Sequence, residues 1–172
     1  MLAALLTTLS KVAFIGFGLG VAGIDFTGMS GHAMFAAAIL PWVLDLLLQG
    51  RRPSVPGVDL LPGAVLALLV AVSRVHVGAH SWSEALLGSA LGRAVTWWVW
   101  AAQATLQRTQ SFPLTASALL ATWLLLLPVH APPSRCNGWV RGLSLRVSGH
   151  DRPYTRERML RKHQRRTDEA IA

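Results

Sequence analysis

Cysteine is nearly absent from this chain. Cys136 stands alone, which excludes an intramolecular disulfide and a thiolate metal cluster and leaves the redox compartment open. Charge is scarce as well: 14% of the 172 residues are charged while 52% are hydrophobic, a composition that excludes an ordinary soluble domain and reads as membrane-embedded. Acidic residues number only eight against sixteen Lys and Arg, for a net charge of +8. Aromatics are too thin in the basic region for nucleic acid: after Trp139 only Tyr154 remains, and single-strand binding needs aromatic side chains interleaved with the cations. The opening MLAALLTTLSK lacks the basic start of a secretory signal and is expected to be a retained membrane segment. No internal repeat or low-complexity tract is evident.

What the chain does have is long apolar runs. A lipid-spanning helix needs about 20 mostly apolar residues, and five stretches approach that: 2–23, 32–49, 60–77, 84–106 and 114–130. Between the second and third, GRRPSVPGVD breaks any helix, and QRTQSFP does so between the fourth and fifth. Trp97, Trp98 and Trp100 cluster near the far end of the fourth stretch, where interfacial aromatics anchor a span. The expected fold is therefore all-α, a polytopic transmembrane bundle of five to six spanning helices over residues 1–131. A basic polar tail follows over 132–172. Ten of the sixteen cations fall between Arg135 and Arg166, and the other six are Lys11, Arg51, Arg52, Arg74, Arg93 and Arg108. Helices joined by short loops alternate in direction, so segments 24–31 and 74–83 and the tail are expected at one membrane face.

Ser30-Gly31-His32 opens the second stretch. Ser30 stands where a helix N-cap belongs, with free backbone N–H groups behind it. A helix N-terminus attracts anions, and His32 can protonate a departing oxygen. A plain N-cap beside an interfacial histidine explains the same three residues.

A second cluster, Ser73-Arg74-Val-His-Val-Gly-Ala-His80, leaves the third stretch, and Glu84 follows His80 at a spacing of four. Arg74 offers a planar fork for two phosphate oxygens. An imidazole at His80 can attack phosphorus, with a carboxylate behind it fixing the tautomer. Two other readings stay open. Ser81-Trp82-Ser83-Glu84 is also a capping box, in which Glu84 bonds backbone and one carboxylate can hardly serve both roles fully. On one continuous helix, His76, His80 and Glu84 would instead form a metal face, although Gly78 and Ser81 argue against continuity.

Together these clusters resemble the type 2 phosphatidic acid phosphatase superfamily, which shares a helical core with vanadium haloperoxidases. That family's second motif ends in Ser-Gly-His, matching Ser30, Gly31 and His32. Its third is Ser-Arg, five residues, His, three residues, Asp, matching Ser73, Arg74 and His80 with Glu84 in the Asp place. The resemblance covers about residues 11 to 92. It implies that His80 is the nucleophile, Glu84 its orienting carboxylate and His32 the general acid, with Arg74, Ser73, Ser30 and Gly31 cradling phosphate. It implies no metal and no cofactor. The first motif, Lys, six residues, Arg, Pro, is degenerate: Lys11 is followed at that spacing by Gly18 and Leu19. Lys11 can hold phosphate by this alignment or snorkel from a helix interior. The tail offers Arg152 as a substitute for the absent arginine, although arginines beside a membrane commonly meet anionic headgroups.

The function expected is hydrolysis of a lipid-linked phosphomonoester or pyrophosphate through a phosphohistidine. Its partners would be the bilayer and a phosphatidate-like, phosphatidylglycerol phosphate-like or polyprenyl diphosphate substrate. A lipid phosphotransferase, or a non-catalytic binding or transport protein that has lost the first motif, is the alternative. The resemblance implies a bacterial inner membrane with the site facing the periplasm, whereas Arg135, Arg141 and Arg146 argue for a cytoplasmic tail side. Arg93 is an intramembrane charge that can pair with Asp45 or face the site.

Overall fold

A computed structural model describes residues 1–48, 60–105, 135–150 and 152–171. The fifth apolar stretch at 114–130, the loops at 50–59 and 107–113 and the boundary at 131/132 lie outside the described residues. Among these residues the architecture is all-α, with no strand. Its helices are α1 (Leu2–Phe17), α2 (Gly31–Leu48), α3 (Leu61–His76), α4 (Trp82–Thr105), α5 (Arg135–Ser148) and α6 (Arg156–Ile171).

The first helix stops at Phe17 rather than running on to 23. Gly18 adopts the left-handed conformation (φ 69°), and its N–H donates to Phe14 O at 2.8 Å while Leu19 N–H donates to Ala13 O at 3.2 Å. That pattern closes a helix end, and the apolarity of the next residues cannot reopen it. The chain then makes a tight reversal. Val21 and Phe26 exchange backbone hydrogen bonds at 3.0 Å around a 3₁₀ turn at Ala22–Ile24. Asp25 closes it with φ 50°, a conformation Asp tolerates better than most residues.

α2 packs between α3 and α4, and small residues set how closely. A Cβ on Gly92 would lie 2.3 Å from Met34 O, and one on Gly88 2.5 Å from Ser30 O, so α4 can approach the α2 backbone this closely only with glycine there. Pro41 sits inside α2 and has no N–H, so the Ala37 carbonyl lacks its helical donor. Thr96 supplies one from α4: its hydroxyl donates to Ala37 O at 2.8 Å. The core is correspondingly small-residue rich, with Ala33, Ala37, Ala67, Ala71 and Ala85 buried beside Met34 and Val43.

Only α2 among the described helices is long and apolar enough to cross a membrane, while α1 and α3 are apolar but shorter. α5 packs on α1, where the buried Ser144 backs against Gly16. α6 reaches the reversal at 22–24.

Candidate active site

Three chain segments meet at one end of the bundle, and Glu84 is where they join. Its side chain is 1% exposed. Oε2 lies 2.7 Å from Nδ1 of His80 and accepts the Ser81 N–H at 3.3 Å. Oε1 accepts the Thr27 N–H at 2.8 Å, the Thr27 hydroxyl, and Nη2 of Arg156 at 2.7 Å. The capping box also forms, since Glu84 N–H donates to Ser81 Oγ at 3.4 Å. Cap and histidine partner are thus one carboxylate in both roles, which its two oxygens and their several lone pairs allow.

This geometry orients His80. With Nδ1 committed to Glu84, Nε2 is the ring atom left for chemistry, and the side chain keeps 13% exposure. The backbone adds a second tether. α3 ends with Gly78 in the left-handed region, and the N–H groups of Ala79 and His80 both donate to the Arg74 carbonyl at 3.1 and 3.3 Å. His80 is thereby fixed one turn from Arg74. Nε of Arg74 is buried and has no hydrogen-bond partner among the described residues.

Ser30 is fully buried as the cap of α2, its Oγ accepting the Ala33 N–H at 3.4 Å and its own N–H donating to Glu84 O at 3.0 Å. Its hydroxyl oxygen thus caps the helix end, and backbone N–H groups around Gly31 are donors at the same terminus. His32 is exposed. Lys11 lies against Gly28, where a Cβ would meet its Cγ at 3.0 Å. Ser73 is exposed and donates to Val70 O at 2.7 Å within its own helix. His76 is the last residue of α3 and α4 begins only at Trp82, so the helical metal face through His76, His80 and Glu84 does not exist. No group of three or more His, Cys, Asp or Glu gathers among the described residues.

The tail arginine that reaches this cluster is Arg156. Arg152 is exposed and has no partner among the described residues, whereas Arg156 pairs with Glu84 and, through Nε at 3.2 Å, with Asp25. Asp25, Thr27 and Arg156 were invisible to motif reading. Thr155 does mark a helix start, accepting the Arg158 N–H at 3.4 Å, but nothing local says what Arg156 meets.

The PAP2 superfamily model matches residues 4–108, which hold Thr27, Ser30, His32, Arg74, His80 and Glu84. The chain belongs to the PAP2 superfamily. Arg156 lies beyond the matched region. An uncharacterized 22.5 kDa protein in the cps region of Klebsiella pneumoniae is 42% identical over 85 residues, 49% of this chain and 41% of that protein. The chain thus spans less than half the length of this relative. No solved structure matches it.

Proposed function

We propose that the chain is a membrane phosphatase that hydrolyses lipid-linked phosphomonoesters or pyrophosphates. The observation that carries this reading is the 2.7 Å contact between His80 Nδ1 and a buried Glu84, beside Arg74 and His32. Nε2 of His80 attacks phosphorus, forming a P–N bond as the bond to the leaving oxygen breaks, and His32 gives that oxygen its proton. Water then attacks the phosphohistidine, His32 takes a proton from it, and phosphate leaves as the P–N bond breaks. The Nδ1 proton stays on the ring, held towards Glu84 as imidazolium character develops. Arg74 and the backbone N–H groups around Gly31 hold the phosphoryl oxygens, and no step in this sequence calls for a metal.

A membrane setting is supported by where the apolar side chains lie. The buried set is mostly alanine, while Leu2, Leu5, Leu9, Val65, Leu68 and Leu69 are more than half exposed, an inversion that suits a lipid surrounding. Trp82 is exposed at the start of α4 and Trp97 and Trp98 further along it, about 22 Å away at 1.5 Å per residue. Indoles at both edges of an apolar layer are interfacial anchors. We place the chain in an inner membrane as a polytopic bundle, its site at the headgroup level and lipid tails alongside α3 and α4.

The test is phosphate release by detergent-purified protein from phosphatidate, phosphatidylglycerol phosphate and a polyprenyl diphosphate, beside His80→Ala. Release abolished by the substitution supports the reading, and no release from any substrate sinks it. A non-catalytic phosphate-binding protein is favoured by one observation, Gly18 and Leu19 in the place of the family's Arg-Pro. Unchanged phosphate-lipid binding without turnover would select it.

A further inference from the structure

We infer that Arg156 is a positioning residue, one that holds Glu84, and through it His80, in working geometry. The inference rests on the phosphatase reading above. Three observations carry it.

The first is the contact set. One guanidinium lies between two carboxylates from different segments, hydrogen-bonded through Nη2 to Glu84 Oε1 at 2.7 Å and ion-paired, without a hydrogen bond, to Asp25 Oδ1, 3.2 Å from Nε. Glu84 is 1% exposed and Arg156 32%, so the bridge is anchored at a buried end, where a charge left unpaired is costly. Oε2 faces His80 and the Ser81 N–H, and the arm that carries it is one methylene longer than the Asp of the family pattern. A longer arm has one more torsion to fix, and a charged donor on the opposite oxygen fixes it.

The second is the docking of the tail. Tyr154 N–H donates to the Ile15 carbonyl at 2.9 Å, an acceptor freed by the end of α1. The Tyr154 ring lies over Gly18, where a Cβ would come within 2.7 Å of it, and Met159 Sδ would lie 2.7 Å from a Cβ on Gly20. Gly18 is where the first motif would place its arginine. The tail therefore covers the vacated position and delivers a cation two residues later.

The third is that Arg156 is poorly placed for its own helix. A cation in the first turn opposes the helix dipole, so α6 gains nothing from it locally. Its compensation comes from Glu84 and Asp25.

The experiment is steady-state phosphate release from phosphatidate micelles by full-length wild type, His80→Ala, Arg156→Ala and Arg156→Lys. Unfolding midpoints are followed by tryptophan fluorescence. Arg156→Ala is expected to lower kcat about 10- to 100-fold, as loss of an orienting partner does, with KM unchanged; the midpoint falls because the buried Glu84 loses its charged partner, so rates are compared at a temperature where every variant is folded. Arg156→Lys restores part of the rate, because an ammonium still reaches one carboxylate but cannot bridge two as the fork does. Wild-type kcat in Arg156→Ala overturns the inference. So does a rise in KM alone, which would make Arg156 a phosphate ligand. Should wild type and His80→Ala both release nothing, the phosphatase reading fails. The ¹⁵N spectrum of the His80 ring then decides Arg156 independently: a tautomer balance changed by Arg156→Ala upholds positioning, and an unchanged one overturns it.

Discussion

Oε2 of Glu84 is shared between Nδ1 of His80 at 2.7 Å and the Ser81 N–H at 3.3 Å. Together with Thr27 and Arg156, every neighbour of this carboxylate is a donor. An amide in its place turns an NH₂ toward one of them. Glu84→Gln is therefore expected to disturb the His80 tautomer and lower kcat by up to about 10⁴-fold, the scale seen when an orienting carboxylate becomes an amide. Phosphate release measures this, with the unfolding midpoint showing that the fold survives. Glu84→Ala goes further, leaving the Thr27 and Ser81 N–H groups without their acceptor and costing about 1–3 kcal/mol of stability.

A separate prediction concerns the proline in α2. The Thr96 hydroxyl donates to Ala37 O at 2.8 Å because Pro41 cannot. Thr96→Val leaves that buried carbonyl without its donor and is expected to cost about 1–3 kcal/mol. The decisive comparison is a double-mutant cycle in detergent. In a Pro41→Ala background, whose residue 41 again carries an N–H, the Thr96→Val cost should shrink markedly. Equal costs in both backgrounds would disprove the account.

Glycine positions on α4 are expected to separate stability from site geometry. Gly92→Ala drives a Cβ to 2.3 Å from Met34 O, one turn into α2, and Gly88→Ala one to 2.5 Å from Ser30 O at its start. Overpacking of this kind costs about 1–3 kcal/mol. Both variants should unfold earlier. Gly88→Ala should also lose activity out of proportion, because the backbone it displaces leads into Gly31 and His32. Unfolding midpoints and kcat of the two variants, measured side by side, check this.

Local patterns carried part of this site and could not carry the rest. The spacing of His80 and Glu84 made their contact readable, and so was the cap at Ser30. The sequence left Glu84 choosing between cap and histidine because spacing does not reveal that its two oxygens can divide the partners. Hydropathy overran α1 to residue 23 because Gly-Leu-Gly-Val-Ala-Gly is apolar, whereas the helix ends on a backbone conformation that apolarity does not register. Arg156 was unreadable for a different reason: its contact with Glu84 spans 72 residues, and a tail with ten cations gives no local ground for choosing one. Arg152 was the tail cation expected to substitute for the absent arginine, yet it is exposed. Arg152→Ala is accordingly expected to change stability by no more than about 0.5 kcal/mol, against the loss of rate in Arg156→Ala.

Metal removal provides the last prediction. The only histidine and carboxylate series with metal-like spacing, His76, His80 and Glu84, is broken by the end of α3 at His76 and the start of α4 at Trp82. Glu84 also has both oxygens occupied by donors, including a cation, so a divalent ion would have to displace Arg156 to bind there. Phosphate release is therefore expected to persist after exhaustive treatment with a chelator and dialysis. His76→Ala, exposed at the helix end, should leave kcat near wild type. Loss of turnover with chelator and its recovery with one added divalent ion would instead require a metal at the phosphate position, and His80 would then be a ligand rather than the nucleophile. Trapping of acid-labile radioactive phosphate on the wild type, absent from His80→Ala, separates these two roles directly, because only a nucleophile carries the phosphoryl group through quenching.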